Sequence, residues 1–218
     1  GHGDILAAAF ENRGERYEAV RYVDTEGRAS YYTPEGRNMR KAFLRAPVQF
    51  SRISSNFNLS RKHPLWNTSR PHRGIDYAAP TGTPVVAAGD GRVELVTQNA
   101  PSGKYVVIQH GEQYQTKYLH LSRFARGMKA GRRVRQGEVI GYVGATGLAT
   151  GPHLHYEFLV HGVHRNPRTV PLPKALPVPD AERDRFLAST RPLVARLGEL
   201  ASEERIALSE TAPAGSGG

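Results

Sequence analysis

Cysteine is absent from this chain of 218 residues. Its absence excludes disulfide bonds, thiolate metal sites and a cysteine nucleophile, and it is compatible with an oxidising compartment such as the periplasm. Apolar runs long enough to cross a bilayer are also missing, so no transmembrane segment is expected. Any metal site in this sequence must therefore be built from histidine and carboxylate side chains.

Acidic residues are scarce in the middle of the chain. The net charge is +10, and residues 51–172 hold sixteen Lys and Arg against six Asp and Glu, whereas both flanks are nearly balanced. Such an excess predicts an anionic partner: nucleic acid, a membrane surface or an acidic polymer. Basic residues are not interleaved with aromatic ones as on a nucleic-acid platform, so no nucleic-acid partner is expected.

The composition divides the chain into four predicted segments. Residues 1–46 form a flanking β region, or strap, because "YEAVRYVD" and "ASYYTP" are rich in Tyr and Val around a turn. We expect this region to dock on the main domain, residues 47–172. Residues 173–208 form a Pro-rich linker and a helical extension, which Pro192 should break or kink. Residues 209–218 form a disordered tail.

The main domain is predicted to consist of short strands separated by Gly and Pro. "TPVVAAGDGRVELVTQ" is typical of a strand, an Asp-Gly turn and a second strand, and "KYVVIQH" with "YQTKYLHL" is typical of a hairpin. "GEVIGYVG" and "HLHYEFLV" are two further strands. Frequent turns without a long helical period predict an all-β core, an antiparallel sheet or sandwich.

Two polar patterns lie among these strands. In "RPHRGID", His72 and Asp76 are four residues apart with Gly74 between them, and in "GPHLHYEF", His153 and His155 flank a leucine. Side chains two apart in a strand point to one face, so each pattern brings its polar side chains together, and the glycine leaves space between its neighbours. For either pattern alone, an ordinary polar strand face is the alternative interpretation.

Imidazole nitrogen and carboxylate oxygen are ligands that suit zinc. Catalytic zinc uses three protein ligands and keeps a fourth position open for water, whereas the two patterns contain four candidates. One of the four is therefore free to take part in the chemistry. His120, near the end of "TKYLHL", is a further candidate.

Three stretches, "HRGID", "YLHLS" and "GPHLHYEF", in this order resemble the signatures of the LytM/lysostaphin-type zinc metallopeptidases. The resemblance extends from about Phe50 through "NPRTV" and includes "APTGTPVVAAGDGRV" and "GEVIGYVGATGLATGPHLH". The flanks resemble those of Gram-negative periplasmic murein DD-endopeptidases, which cleave the cross-links of peptidoglycan.

This resemblance implies a role for each residue of the patterns. His72, Asp76 and His155 would bind Zn²⁺, while His120 and His153 would lie beside the open position, orienting the water or stabilising the oxyanion. The motif does not decide which of the two histidines is the base. The resemblance further implies hydrolysis of the bond between D-alanine and meso-diaminopimelate, in the periplasm or at the envelope. Peptidoglycan is the expected partner, and a regulatory protein is a candidate partner.

Two other classes of function fit parts of the sequence. A non-cleaving cell-wall-binding module, or a regulator of another hydrolase, would use the basic surface without catalysis. A biotinyl- or lipoyl-type carrier is favoured by "MKAGRRVRQGEVIGYVG", but the tight turn Gly89-Asp90-Gly91 lacks the lysine that such carriers modify.

Several other histidines are expected outside the site. His63, His161 and His164 lack a spaced partner and are interpreted as surface residues, whereas His110 is interpreted as structural.

Three residues near the motifs have competing interpretations. Glu157 shares the strand face of His155, so it is either a hydrogen-bond partner of that histidine or an ordinary strand-end glutamate. Tyr118 shares the face of His120 by the same period, with packing as its expected role. Lys104 is expected to point to solvent.

Overall fold

The computed structural model describes residues 3–49, 52–61 and 71–210. His63 and the predicted tail from residue 211 onward lie outside the described residues. The chain divides into two compact units, Gly1–Lys41 with Pro173–Gly218, and Ala42–Leu172. They are called here the flanking unit and the central unit. The four-segment division and the docking of the strap remain predictions.

In the part that the structure describes, the flanking unit is a three-stranded antiparallel sheet covered by an α-helix. Its strands are β1 (Ala7–Asn12), β2 (Glu15–Val23) and β3 (Ala29–Tyr32), in the order β1-β2-β3. The ring of Phe186 meets Tyr22 and Tyr32 edge-on, with centroids 5.3 and 5.7 Å apart. These aromatic contacts cover one face of the sheet and give the unit a small apolar core of its own.

Helix α1 spans Arg183–Glu210, after a short 3-10 turn at Asp180–Glu182. The predicted helical extension is confirmed, but the predicted break at Pro192 is wrong, because Pro192 lies inside α1. Leu193 and Val194 pack on the same cluster as Phe186. Apolar contacts on both sides of the proline therefore hold the helix against the sheet and offset the missing backbone hydrogen bond.

The described residues of the central unit form ten antiparallel strands. They are β4 (Arg52–Ser55), β5 (Ile75–Ala78), β6 (Pro84–Val86), β7 (Gly91–Asn99), β8 (Gly103–His110), β9 (Tyr114–Phe124), β10 (Arg133–Val134), β11 (Val139–Val143), β12 (His153–Val160) and β13 (Val163–Arg165). The main order is β10-β7-β8-β9-β12-β5-β4, with β13 on β12, and β11 between β6 and β9. The predicted all-β antiparallel core is confirmed. The strands on either side of the Asp-Gly turn do not pair with each other, since β6 pairs with β11.

The two faces of the sheet have different roles. Ile75, Tyr156, Tyr118 and Val106 face one another across β5, β12, β9 and β8, and all four are fully buried in the core. His155, the residue just before Tyr156 in β12, therefore points to the opposite face.

Strand β9 changes its register just before its end. Tyr118 lies opposite Val106 on β8, whereas Leu121 lies opposite Lys104, so β9 carries one extra residue. His120, inside this bulge, has a left-handed backbone with φ of 62°. Bulges re-aim side chains, which explains why Tyr118 packs in the core while His120 does not follow the strand period.

Among the described residues, no helix is long and apolar enough to span a membrane.

Candidate metal centre

Three side chains converge on the open face of the sheet. Asp76 on β5 lies directly opposite His155 on β12, and His72 is held beside them by a backbone bridge with Asn58. One ligand atom from each of His72, Asp76 and His155 lies within 4.8 Å of the others. The side chains are 10%, 17% and 12% exposed, respectively, so the group is nearly buried yet reachable from solvent.

His72 presents Nε2 to the cluster. Its Nδ1 lies 2.7 Å from the carbonyl oxygen of Asn56, which only accepts, so Nδ1 carries the hydrogen and donates it. Nε2 then faces Oδ2 of Asp76 at 3.1 Å and Nδ1 of His155 at 3.2 Å. The orientation of the ring is thus set by the backbone of Asn56 before any ion binds.

His155 is held from both sides. Its Nδ1 lies 2.7 Å from Oδ1 of Asp76, and its Nε2 lies 3.2 Å from Oε1 of Glu157. The second oxygen of Glu157 accepts from Nε2 of His164 at 2.9 Å, and Lys117 Nζ lies 3.7 Å away. Glu157 is therefore a partner of the site histidine rather than an ordinary strand-end residue.

The charges of this cluster reinforce one another. Burial opposes ionisation, but hydrogen bonds with Asp76 and Glu157 outweigh it and raise the pKa of His155 to about 9. For the same reason the pKa of Glu157 falls to about 2, and that of Asp76 is held well below its usual range. A metal ion that is bound through Nδ1 of His155 would take the place of a proton on that nitrogen, so metal binding would be coupled to proton release.

The donor set fits a divalent transition metal. Two imidazole nitrogens and one carboxylate are the ligand types of catalytic zinc sites. The ring nitrogens that point away from the cluster are Nδ1 of His72 and Nε2 of His155, and each is hydrogen-bonded to an oxygen acceptor. Such a hydrogen bond is usual for metal-ligating histidines. His72, Asp76 and His155 are thus the described residues that could hold the ion.

Gly74 leaves room in this site for a reason that the sequence pattern did not reveal. A Cβ added at Gly74 would lie 2.7 Å from Nε2 of His155 and 2.5 Å from the carbonyl oxygen of Tyr156. The space is therefore filled by the neighbouring strand β12, and any side chain at this position would push His155 away from Asp76.

His120 and His153 lie next to the three converging residues. Their ring centroids are 4.8 Å apart, and the ring of His120 is 6.0 Å from that of His155. Nδ1 of His120 donates to the carbonyl of Thr146 at 2.8 Å, and Nδ1 of His153 to that of Gly151 at 2.8 Å. Both rings therefore keep Nε2 available, and that of His153 lies 3.7 Å from Oδ1 of Asp76. Burial lowers the pKa of His120 below its usual 6.5, which favours the neutral, proton-accepting form.

Two expectations for nearby residues were wrong. His164 is not a lone surface histidine, because the hairpin of β12 and β13 brings it to Glu157. Lys104 does not point only to solvent, since its Nζ donates to the carbonyl of Ser122 at 3.0 Å. His110 is structural as expected, being buried and bound to the Asp90 carbonyl and the Thr116 hydroxyl.

The fold and the site define a metallopeptidase of the LytM/lysostaphin type, and comparison with known families agrees. Residues 70–167 match the model of Peptidase family M23, so the chain contains a domain of this family. The predicted resemblance is thereby confirmed.

Similar proteins have been named for their action on the cell wall. Peptidoglycan DD-endopeptidase ShyC of Vibrio cholerae is 50% identical over 197 residues, which are 90% of this chain and 44% of that protein. ShyA, a peptidoglycan DD-endopeptidase of the same organism, is 44% identical over 195 residues, 88% of this chain and 44% of its own length. The chain thus spans less than half the length of these two relatives.

A solved structure is similar as well. A zinc containing peptidase from Vibrio cholerae superposes with a TM-score of 0.59 at 38% identity, covering 78% of this chain and 51% of that one.

Proposed function

We propose that this chain is a zinc-dependent endopeptidase that hydrolyses peptide cross-links of peptidoglycan, at the bond between D-alanine and meso-diaminopimelate. The observation that carries the proposal is the convergence of His72, Asp76 and His155 beside two histidines that each keep Nε2 available. The names of the relatives supply the substrate class, and the similar zinc containing peptidase supports the choice of metal.

The three converging residues would hold the ion, each through the atom that faces the cluster. A bound zinc supplies a Lewis acid that acidifies water and polarises the peptide carbonyl. Nε2 of His120 would accept the proton of the attacking water, because burial favours its neutral form. The same proton would pass to the amine nitrogen that leaves as the peptide C–N bond breaks. His153, when it carries a proton on Nε2, donates a hydrogen bond to the developing oxyanion. Glu157 keeps His155 turned with Nδ1 toward the ion.

The cationic surface supports an anionic polymer as the partner. The sequence has no acidic residue between Glu112 and Glu138, and Arg133 lies directly opposite Arg92 on the neighbouring strand, both exposed. Like charges in this position repel, and the carboxylates of peptidoglycan would relieve the repulsion. Action on this substrate places the protein outside the cytoplasm, in the periplasm. The regulatory partner stays a prediction with no structural support.

The alternative function is a non-cleaving cell-wall-binding module or a regulator of another hydrolase. Such a protein has no need of a ligand trio together with two adjacent histidines. The convergence of all five side chains favours catalysis.

The substrate assignment predicts release of monomers from purified muropeptide dimers that are cross-linked between D-alanine and meso-diaminopimelate. Digestion with and without a chelator, with products identified by mass, checks this. A pentaglycine-linked substrate is the control and should stay intact. Intact dimers together with cut pentaglycine would overturn the assignment.

Glu157→Gln is expected to weaken zinc binding by about 10- to 100-fold, the usual effect of removing a partner of a ligand histidine. Glutamine keeps the volume but lacks the charge that holds the proton on Nε2 of His155. Competition with a chelator of known affinity measures the change. Glu138→Gln is the matched control, because Glu138 pairs with Arg132. Equal affinities in the two variants would mean that Glu157 serves only packing.

A further inference from the structure

The backbone of His120 is in a conformation that needs support. Its φ of 62° is uncommon for a residue with a Cβ, and such residues persist where their surroundings hold them. Two hydrogen bonds do so here: the His120 N–H donates to the carbonyl of Ser102 at 3.0 Å, and Nδ1 donates to the carbonyl of Thr146 at 2.8 Å. Both acceptors lie in loops and outside strand β9, so the placement of His120 depends on those loops.

Thr146 connects the segments around His120. Its hydroxyl donates to the carbonyl of Leu121 at 2.8 Å and accepts from the N–H of Lys104 at 2.9 Å. The same residue thus contacts the residue after His120 through its side chain and His120 itself through its carbonyl. These two hydrogen bonds tie Thr146 to both β8 and β9 and so restrict the positions that its carbonyl can adopt.

The loops approach each other so closely that only glycine fits. Gly103, with φ of 63°, has no room for a Cβ, which would overlap both the hydroxyl and the carbonyl of Thr146. A Cβ on Gly147 would in turn overlap the backbone of Gly103. Thr146 is therefore fixed from the side of β8 by direct backbone contact as well as by hydrogen bonds.

We infer that Thr146 is a positioning residue for His120. The hydroxyl of Thr146 holds the Thr146 carbonyl in place, and this carbonyl accepts the hydrogen on Nδ1 of His120. Nε2 of His120 is therefore left without a hydrogen and can act as an acceptor. A ring whose Nδ1 loses this acceptor can rotate or exchange its hydrogen to Nε2, and it then no longer offers an acceptor to the site. The consequence for catalysis rests on the proposed function. The inference about the tautomer of His120 is independent of that function and can be tested by itself.

The test compares Thr146→Val with Thr146→Ser. Valine has the size of threonine but can neither donate nor accept, whereas serine retains both hydrogen bonds. Thr146→Val should abolish the single-tautomer pattern of His120 in long-range proton–nitrogen NMR spectra, assigned by comparison with His120→Gln. In the zinc-loaded enzyme, kcat should fall on the order of 10²-fold, the usual effect of misplacing a catalytic group. KM and zinc content should not change, and Thr146→Ser should restore both kcat and the NMR pattern.

Two further variants separate positioning from a general loss of stability. Thr83→Val removes a hydroxyl that donates to the carbonyl of Pro80 at 2.7 Å, and it should leave the His120 signals and kcat unchanged. Gly103→Ala displaces Thr146 from the other side and should reproduce the NMR change even if Thr146→Val does not fold.

Unaltered His120 signals in Thr146→Val, or equal losses in Thr146→Val and Thr146→Ser, would overturn the inference. An altered tautomer with wild-type kcat would support the positioning role and would instead contradict His120 as the base.

Discussion

Asp76→Ala is expected to lose its zinc on dialysis and, with the zinc, all measurable hydrolysis. Asp76 supplies the carboxylate of the proposed ligand set, and its two oxygens face Nδ1 of His155 at 2.7 Å and Nε2 of His72 at 3.1 Å. Without it, two imidazoles hold the ion in an ill-defined geometry, and Nδ1 of His155 loses the partner that aims it. Elemental analysis after dialysis and release of muropeptide monomers measure the two losses.

Asp90→Ala is the matched control, because Asp90 is exposed in the same unit and accepts a hydrogen bond from the N–H of Gln136. It should keep stoichiometric zinc and wild-type activity. Retention of stoichiometric zinc by Asp76→Ala would show that Asp76 is not a ligand.

His153→Ala is expected to keep near-stoichiometric zinc and yet lose about 100- to 1,000-fold in activity, the usual effect of removing one hydrogen-bond donor to the oxyanion. Nε2 of His153 is 3.7 Å from Oδ1 of Asp76, farther than the ligand atoms of His72 and His155, and three ligands with a water already complete a tetrahedron. Zinc content and muropeptide release at neutral pH are measured on the same preparation.

His161→Asn serves as the control, since His161 is exposed in a left-handed turn position with φ of 48°, which asparagine tolerates. If His153→Ala lost as much zinc as Asp76→Ala, His153 would be a ligand, and the proposed division between ligands and catalytic residues would be wrong.

The site was predictable from the sequence where strands are regular. His153 and His155 share a face of β12, and Glu157 continues the same row, so the period of two residues was sufficient to bring them together. Asp76 joins them because β5 pairs with β12. The order of the motifs predicts this pairing only through the resemblance to the peptidase family. No local pattern gives that pairing.

The two-residue period of a β-strand gave a wrong prediction of side-chain direction where β9 is irregular. Tyr118 and His120 share a face in a regular strand, but the bulge and the left-handed backbone of His120 send the two side chains to opposite sides. The sequence contains no glycine at this position to announce the bulge. The residues that hold this backbone by hydrogen bonds, Ser102 and Thr146, are distant from His120 in sequence.

Contacts between residues distant in sequence also explain why the predictions for His164 and Pro192 were wrong. His164 finds Glu157 only because β13 folds back on β12, and Pro192 is tolerated because α1 is held on both sides of it by the sheet of the flanking unit. Neither effect is visible in a window of neighbouring residues.

The flanking unit is assembled from two stretches separated by the whole central unit. The side chains of Tyr22 and Glu182, which are hydrogen-bonded, lie 160 residues apart. During synthesis at about 5–20 residues per second, roughly 8–30 s pass between the emergence of these two residues from the ribosome. The aromatic face of the first sheet stays uncovered for that interval, whereas the central unit can complete its core from a continuous stretch. A chain that stops after Leu172 would leave that face permanently without α1, so its aromatic side chains would form an exposed apolar patch that is prone to association.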